Sequence, residues 1–367
     1  MPNQMQVFLC FSSKIFESAK LMIKLLQTSS KKEKYWNNFV NKMESILLSG
    51  KIKINYYKLK SKILSMKRIS LKSLLILGVA AFMMQGLNSC NSAPKKASSA
   101  EKSAVAEKYV GLQLWSVKDD MNKDVPATIA AVGEMGYKFV ETAGYGDGKM
   151  YGIDPIEFKN LCEQNGLKFL GAHAGQDIPE PEKMDEVMTW WDECIAAHKA
   201  AGVKWIVQPF MGGTAYGSLD GLKRYCEYFN AVGEKCNAAG IRFGYHNHDG
   251  EFTTEFEGKP VYDWMLELTD PEKVMFQMDL YWIQHGGKNA LDYFDKYAGR
   301  FELWHIKDKA EVGASGTMDF AAIFAAKEKS GVKYGIVEVE EYNFEPLESC
   351  KKSLEYLKAA DYVHFTE

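Results

Sequence analysis

The chain lacks the features that mark several common protein classes. Its formal net charge is only −3 over 367 residues, and its C-terminal two thirds contain no dense Lys/Arg stripe, so the basic surface of a nucleic-acid binder is missing. It has only seven cysteines and no Cys-x-x-Cys pair. Five of them are scattered over predicted helices and are expected to be small buried residues: Cys162, Cys194, Cys226, Cys236 and Cys350. The lack of a basic stripe therefore excludes nucleic acid as a partner.

Long apolar runs are also scarce, and the clearest one lies in the first quarter of the chain. Residues 66–90 begin with a basic head and continue with an apolar stretch at 74–84, which is too short to span a bilayer as a mature helix. This pattern predicts a secretory signal peptide. It closes with Leu-Asn-Ser-Cys at 87–90, which resembles the bacterial lipobox. The resemblance implies that Cys90 carries a lipid.

The segments on either side of this signal lack a clear amphipathic pattern. Residues 1–65 are interpreted as an upstream extension that precedes a start at Met66. Residues 91–108 are rich in Ser, Ala and Lys and predict a flexible tether. The protein is thus expected outside the cytoplasm, touching the membrane only through its lipid. Because no acidic stretch follows Cys90, the periplasmic face is favoured.

From residue 109 onward, short apolar runs alternate regularly with longer helical periodicity. This alternation predicts βα units and a parallel sheet. The eight predicted strands are 110–117, 138–142, 168–173, 204–209, 242–248, 275–280, 301–307 and 334–340. Eight units in residues 109–367 predict a (β/α)8 TIM barrel. A doubly wound open sheet is the alternative, but no Gly-x-Gly-x-x-Gly follows the first strand.

Four polar residues near the ends of successive predicted strands suggest a metal site: His246, Asp279, His305 and Glu338. Active sites of such barrels lie at the C-terminal ends of the strands. Imidazole and carboxylate groups placed together there would leave buried charge clustered unless a cation compensates it. We therefore predict one divalent metal, for which Mn, Zn, Co and Fe are all compatible with this donor set.

Other side chains are predicted to share this barrel mouth. Residues two apart on a strand share a face, so further polar groups join the quartet: Glu141, His173, Gln208, His248, Lys307 and Glu340. Three aromatic residues are predicted to form an apolar wall of the same mouth, against which a substrate would pack: Trp115, Tyr281 and Trp282. The alternative for each polar group is a hydrogen-bonded structural role, and for each aromatic group packing at the barrel edge.

These motifs together resemble the xylose isomerase-like barrel superfamily, the sugar phosphate isomerase/epimerase group. The resemblance rests on GLQLWSV at 111–117, YHNHD at 245–249, MDLYW at 278–282, WHIKD at 304–308 and VEVE at 337–340. It implies that the quartet binds one divalent metal. It also implies a departure, because the epimerases usually have Glu where this chain has His246. Their mechanism uses two metal-bound glutamates on opposite faces of the sugar, and here only Glu338 remains.

The chemistry implied by the resemblance is removal of a proton α to a sugar carbonyl, with the metal as Lewis acid. Reprotonation would give an isomer or epimer of a free keto-sugar, whereas loss of a β-substituent is a lyase reaction. We favour a lyase that eliminates the aglycone from 3-keto-glycosides, which a separate sugar 3-oxidoreductase would supply. Two observations favour the lyase. A lipid-anchored protein outside the cytoplasm meets free glycosides rather than phosphorylated sugars. His246 also replaces one of the two glutamates that the epimerases use. A sugar-binding lipoprotein without activity is the third hypothesis. The metal-dependent endonuclease relatives of this barrel are disfavoured, because they would need more histidines and a basic groove.

Roles follow for the side chains of the predicted site. In the lyase hypothesis the metal holds the 3-keto oxygen and the 2-hydroxyl, and Glu338 or His248 takes the proton from C2. His173 or Glu340 assists the leaving oxygen. Lys307 binds hydroxyls or polarises the carbonyl with its ammonium group.

Elemental analysis of the soluble domain, produced from Val105 onward, tests the metal prediction directly. We expect about one equivalent of a divalent metal per chain, because the predicted quartet forms one site. A domain purified without chelator that contains no stoichiometric metal, and takes none up on dialysis, would favour the sugar-binding hypothesis.

Overall fold

The structure, a computed structural model, describes residues 108–367. The predicted upstream extension, the signal peptide, Cys90 and nearly all of the tether lie outside these residues and remain predictions. Lys108, the last residue of the predicted tether, already contacts the folded domain, because its buried Nζ donates to the Leu357 carbonyl at 2.9 Å. Within residues 108–367, no helix has both the length and the apolarity needed to cross a membrane.

Parallel strands form the centre of the described region. They are β1 Val110–Gln113, β2 Phe139–Thr142, β3 Lys168–His173, β4 Trp205–Gln208, β5 Arg242–His246, β6 Val274–Asp279, β7 Leu303–Ile306 and β8 Tyr334–Val337. Each strand pairs with the next, and β8 pairs with β1, so the sheet closes. The predicted (β/α)8 barrel is confirmed. Two short hairpins join Tyr145–Gly146 to Lys149–Met150 and Glu255–Phe256 to Lys259–Pro260.

A helix follows each strand on the outside of the barrel. These helices are α1 Val125–Met135, α2 Pro155–Gln164, α3 Met184–Ala201, α4 Leu219–Ala238, α5 Val261–Leu268, α6 Ala290–Lys296, α7 Phe320–Ala325 and α8 Pro346–Ala359. Shorter helical segments lie at Leu114–Val117, Lys118–Lys123, Pro181–Lys183, Gly213–Gly217, Gly250–Thr253, Leu280–His285 and Lys327–Ser330. Local sequence explains the helix ends: Asp124 and Ser218 cap α1 and α4, and Gly136 ends α1 in the left-handed region.

Several strands end earlier than the sequence predicts. The first predicted strand, 110–117, stops at Gln113, and the 3-10 helix Leu114–Val117 continues the chain. The last predicted strand, 334–340, stops at Val337. Trp115 and Glu340 were predicted on strands but lie on the connections above the barrel. The physical reason is local: the Trp115 N–H donates to the Gln113 side chain, which caps the 3-10 helix, and the Trp115 indole donates to Glu340 across the mouth.

An aromatic layer fills the lower barrel interior. The rings of Phe139, Trp205 and Tyr334, from three strands that are not neighbours, lie 4.9–6.0 Å apart between centroids. Glycine makes room for them: a Cβ on Gly111 would lie 2.1 Å from the Phe139 ring, and one on Gly171 would lie 1.8 Å from the Trp205 indole. This layer separates the polar residues above it from solvent at the N-terminal end. The five cysteines of the described residues are buried and free, as predicted.

A buried histidine on α3 makes stability depend on pH. His198 packs against the rings of Tyr145 and Phe169, its Nδ1 lies 2.7 Å from the Cys194 carbonyl, and its Nε2 has no partner among residues 108–367. Burial lowers the pKa of His198 to about 4. The folded state thus binds fewer protons than the unfolded state between about pH 4 and pH 6.5, and its stability falls as the pH falls through that window.

We expect His198→Leu to reduce this acid sensitivity. Between pH 6.5 and pH 5.0 the free energy of unfolding of the natural protein should fall by about 1.5 kcal/mol more than that of the variant, since one pKa unit corresponds to about 1.4 kcal/mol. Urea unfolding at the two pH values measures the difference. Equal losses in both proteins would show that His198 does not carry the effect.

Candidate metal centre and active site

The four predicted metal ligands come together at the C-terminal end of the barrel. His246 and Asp279 end β5 and β6, His305 lies on β7, and Glu338 directly follows β8. Each offers one ligand atom, and these atoms all lie within 4.8 Å of one another. All four residues are buried, at most 4% exposed. Four neighbouring strands therefore place two imidazoles and two carboxylates around one point.

The environment of Asp279 is suited to a cation at this point. Its Oδ1 accepts hydrogen bonds from the backbone N–H groups of Tyr281 and Trp282 at 2.9 and 2.8 Å. Its Oδ2 is buried and has no partner within residues 108–367, although an unpaired buried acceptor costs about 1–3 kcal/mol. Burial, together with the nearby Glu338 charge, raises the pKa of Asp279 to about 7. A bound cation would satisfy this oxygen and favour its ionised form.

His305 lies between two carboxylates. Its Nδ1 is 3.2 Å from Glu338 Oε2, and its Nε2 is 2.8 Å from Glu141 Oε1. Burial opposes its protonation, but the charge of Glu338 and the bonds to both carboxylates raise the pKa of His305 to about 10. Burial alone would raise the pKa of Glu338, yet His305 and Lys307 hold it well below its usual range. Glu141 and Glu338 are thus stabilised by positive charge beside them, and a divalent metal would supply such charge.

Glu141 lies at the centre of a hydrogen-bond network below the quartet. It accepts bonds from Gln113 Nε2 at 2.8 Å, from Trp205 Nε1 at 2.5 Å and from Gln277 Nε2 at 2.9 Å, besides His305. Burial alone would raise the pKa of Glu141, but His173 and His305 hold it well below its usual range. An ionised carboxylate only accepts hydrogen bonds. Every group that touches Glu141 must therefore donate to it.

This constraint orients Gln277 and, through it, the histidines. Since the Gln277 amide nitrogen faces Glu141, its Oε1 faces His173 Nε2 at 2.7 Å and His246 Nδ1 at 3.1 Å. An amide oxygen only accepts, so both imidazole nitrogens carry protons. His246 then keeps the lone pair on Nε2 for a metal. Metal-binding histidines commonly have the other ring nitrogen oriented by such a partner.

A second group of possible ligands consists of His173, His246 and His305, whose atoms also lie within 4.8 Å of one another. The His173 ring stacks on that of His305, with centroids 5.1 Å apart and an angle of 12° between the planes. However, His173 Nε2 already donates to Gln277 and lies 3.2 Å from Glu141. The quartet fits a metal better, because it includes the unpaired oxygen of Asp279.

Lys307 connects the quartet to the open mouth. Its buried Nζ is 2.5 Å from Glu340 Oε2 and 3.7 Å from Glu338 Oε2. Burial disfavours the ammonium form, but Glu338, Asp279 and Glu340 raise the pKa of Lys307 above its ordinary value. The other oxygen of Glu340 accepts a bond from Trp115 Nε1 at 3.2 Å. A row of Glu338, Lys307, Glu340 and Trp115 thus leads away from the metal ligands.

Aromatic side chains line the mouth beside Lys307, whose Nζ lies 5.7 Å from the centre of the Trp282 ring. The half-buried His248 ring lies 4.9 Å from His246 and 5.7 Å from Trp282 between centroids, and it makes no hydrogen bond to any residue in 108–367. Trp282 Nε1 is buried without a partner in the same range. Tyr281 packs beside Trp282, with centroids 5.1 Å apart. An imidazole and an indole N–H are therefore free to bind a ligand.

Two predicted substrate contacts need correction. Glu141 was predicted at the mouth, but it is fully buried and its oxygens face protein donors, so it supports the ligands from below. Gln208 was also predicted at the mouth. It lies three residues after the inward-facing Trp205, so strand alternation turns it to the other face, where its Nε2 donates to the carbonyls of Gln176 and Phe210.

The sequence interpretation missed three residues that organise the site. Gln113 and Gln277 share the interior with the quartet, and Gln277 lies two residues before Asp279, so strand periodicity could have identified it. Asp249 pairs with His285 at the rim, where Oδ2 and Nδ1 are 3.2 Å apart. That pair joins two different connections, which periodicity does not predict.

Comparison with known proteins agrees with this fold. A family model described as the xylose isomerase-like TIM barrel matches residues 129–360. A solved sugar phosphate isomerase/epimerase from Parabacteroides distasonis ATCC 8503 is 34% identical, with a TM-score of 0.64 over 70% of this chain and 100% of that one. A 3-keto-D-glucoside 4-epimerase from E. coli is 19% identical, with a TM-score of 0.56 over 69% of this chain and 100% of that one, which indicates a shared fold.

Curated relatives include several inosose dehydratases. The protein from Lacticaseibacillus casei is 24% identical over 271 residues, which cover 62% of this chain and 88% of the relative. Across the inosose dehydratases that it matches, the chain spans from 27% to 88% of their lengths.

We expect Glu141→Gln to weaken metal binding about 10–100-fold, as removal of an orienting partner commonly does. The new amide would relax the orientation of Gln277 and the proton position on His246. Titration with Mn²⁺, followed by calorimetry, measures the affinity, and circular dichroism checks the fold. The matched control is Glu302→Gln, which removes a carboxylate paired with Arg242 and Lys333 just before β7. Equal affinity in both variants would contradict the orienting role.

Proposed function

The chain belongs to the xylose isomerase-like TIM barrel family, and we propose that it is a metal-dependent lyase that eliminates the aglycone from 3-keto-glycosides. The observation that carries the proposal is the asymmetry of the quartet, in which Glu338 is the one carboxylate within 4 Å of the Lys307 amine. Asp279 is held by two backbone donors, and His246 is oriented as a ligand. A second base on the opposite face, which epimerisation requires, is thus missing from the quartet.

The similar proteins support both halves of this proposal. The inosose dehydratases are named for the loss of water, and loss of a hydroxyl β to an enolisable ketone, with the α proton, is an elimination. The E. coli protein of similar fold is named for a 3-keto-glucoside. A 3-keto-glycoside that loses its aglycone combines that substrate class with that reaction class.

The residues present fit a divalent metal, which His246, Asp279, His305 and Glu338 would hold. When bound, the metal would supply Lewis-acid stabilisation of negative charge on the substrate carbonyl oxygen. The chain's own residues carry the rest: Glu141 and Gln277 keep the histidine lone pairs available, and burial of the quartet excludes water that would weaken these interactions.

The reaction needs one base and one acid. Glu338 accepts the proton from C2, the electron pair of that C–H bond forms the C1=C2 double bond, and the bond from C1 to the glycosidic oxygen breaks. The Lys307 ammonium gives a proton to the departing oxygen. The proton held by Glu338 then returns to Lys307, whose Nζ is 3.7 Å away. The products are a 2-hydroxy-3-keto-glycal and the free aglycone.

The proposal extends to the setting of the enzyme. The signal and lipobox pattern of residues 66–90 supports a lipid-anchored protein on the periplasmic side, where unphosphorylated glycosides are available. Its substrate must come from an oxidation of the sugar 3-hydroxyl, so a separate sugar 3-oxidoreductase belongs to the same reaction sequence.

Incubation of the metal-loaded domain with a 3-keto-glucoside and with free keto-hexoses, in deuterium oxide, tests this proposal. We expect release of aglycone together with the glycal. Incorporation of deuterium into a new stereoisomer without bond cleavage would instead support an isomerase or epimerase of free keto-sugars. Binding without exchange or cleavage would support a sugar-binding protein.

We expect Glu338→Gln to lower the rate of elimination about 10²–10⁴-fold, because the proton acceptor is lost. Glu338 is also a proposed metal ligand, so metal content must be measured and the assay run at saturating metal. The control is Glu341→Gln, an exposed carboxylate three residues further along the same connection. Substantial turnover by a metal-loaded Glu338→Gln variant would contradict the assigned role.

A further inference from the structure

A cavity of about 650 Å³ lies beside the site on the side of Trp115. It is bounded by the connection that follows β1 and by the hairpin that follows β2. Its main side chains are Trp115, Tyr145, Tyr151, Lys118 and Lys149. The volume falls in the range of sites that bind a small organic molecule, about 300–1,000 Å³. Of the residues given a role in the site so far, only Trp115 lines this space.

The cavity is connected to the reacting groups through one side chain. Glu340 binds Trp115 Nε1 with one carboxylate oxygen, at 3.2 Å, and Lys307 Nζ with the other, at 2.5 Å. Trp115 is 41% exposed, and its ring lines the cavity. A substrate whose departing oxygen meets Lys307 would therefore extend past Glu340 toward this indole.

The other residues that line the cavity are held in place by hydrogen bonds and ring packing. Tyr151 Oη accepts a bond from the Ala143 backbone N–H at 3.0 Å, and Tyr145 packs on Trp190 and His198 with centroids 5.5 and 5.0 Å apart. Asp147 and Tyr151 adopt the left-handed region, with φ of 50° and 51°, a conformation that persists only where surrounding contacts enforce it. The cavity thus has a preformed shape.

The charged groups of the lining favour oxygen-rich ligands. Lys118 and Lys149 outnumber the one acidic residue of the lining, Asp147. Lys118 Nζ lies 4.4 Å from the centre of the Trp115 ring, and within residues 108–367 neither lysine has a carboxylate within ion-pair distance. An aromatic surface with ammonium donors beside it is suited to a ring that carries hydroxyl or carboxylate oxygens.

We propose that this cavity is the aglycone subsite and that it selects 3-keto-disaccharides over glycosides of small alcohols. The second sugar ring packs against Trp115, and its hydroxyl oxygens accept hydrogen bonds from Lys118 and Lys149. This inference rests on the proposed lyase function, but binding of a disaccharide to the cavity can be measured without turnover.

Filling the cavity tests the proposal. Gly146 lines it, lies in an extended hairpin strand, and has open space where a Cβ would be placed, so Gly146→Trp adds bulk without backbone strain. We expect this variant to lose at least about tenfold in kcat/KM on a 3-keto-disaccharide, about 1.4 kcal/mol, and to retain its rate on methyl 3-keto-glucoside. The control is Gly217→Trp, also at an exposed glycine with open space, and it should behave like the natural protein.

The outcomes separate the two proposals. Equal losses by Gly146→Trp on both substrates, or no loss on either, would overturn the aglycone subsite while leaving the lyase intact. If the natural protein cleaves neither substrate, the lyase proposal fails. Calorimetry with the 3-keto-disaccharide then decides the cavity alone: binding by the natural protein that Gly146→Trp abolishes supports it, and unchanged binding contradicts it. Trp115→Phe should bind more tightly than Trp115→Ala, because the phenyl ring keeps a packing surface.

Discussion

The buried carboxylate of Glu141 is the interaction on which the rest of the site depends. A negative charge in the barrel interior is tolerated only because donors surround it, and here they come from Gln113, Trp205, Gln277 and His305. Each donor is thereby fixed in orientation. The effect passes from Glu141 through one amide to His246, and directly to His305, so that two ligands on different strands have defined proton positions.

The charge of the site is organised in two levels. Below, Glu141 is satisfied by protein donors and shielded by the aromatic layer around Trp205. Above, Asp279 and Glu338 lack enough donors, and positive charge comes from Lys307 and from His305, whose Nδ1 proton a bound metal would replace. The lower carboxylate has all the hydrogen-bond donors it needs, whereas the upper carboxylates do not. Only the upper carboxylates can therefore bind a cation and a substrate, as a metal centre with a reactive face requires.

The proposed chemistry and the proposed substrate meet at Lys307 and Glu340. The lysine lies between the proposed base and the glutamate, and the glutamate in turn holds Trp115 at the edge of the neighbouring cavity. In this arrangement the departing half of a substrate would leave past Glu340 into the cavity beside Trp115. The aromatic side of the mouth, with His248 and Trp282, would then face the sugar ring that stays on the metal.

The sequence by itself determined the barrel and the quartet, because both depend on short-range periodicity: eight apolar runs separated by helices, each closing on a polar residue at one end. It could not determine where strands give way to connections, so Trp115 and Glu340 were predicted on the wrong elements. Nor could it show that Glu141 points to protein donors or that Gln208 turns away from the site. Those outcomes depend on which side chains meet across a closed barrel, and only the tertiary structure brings strands distant in sequence within hydrogen-bonding distance.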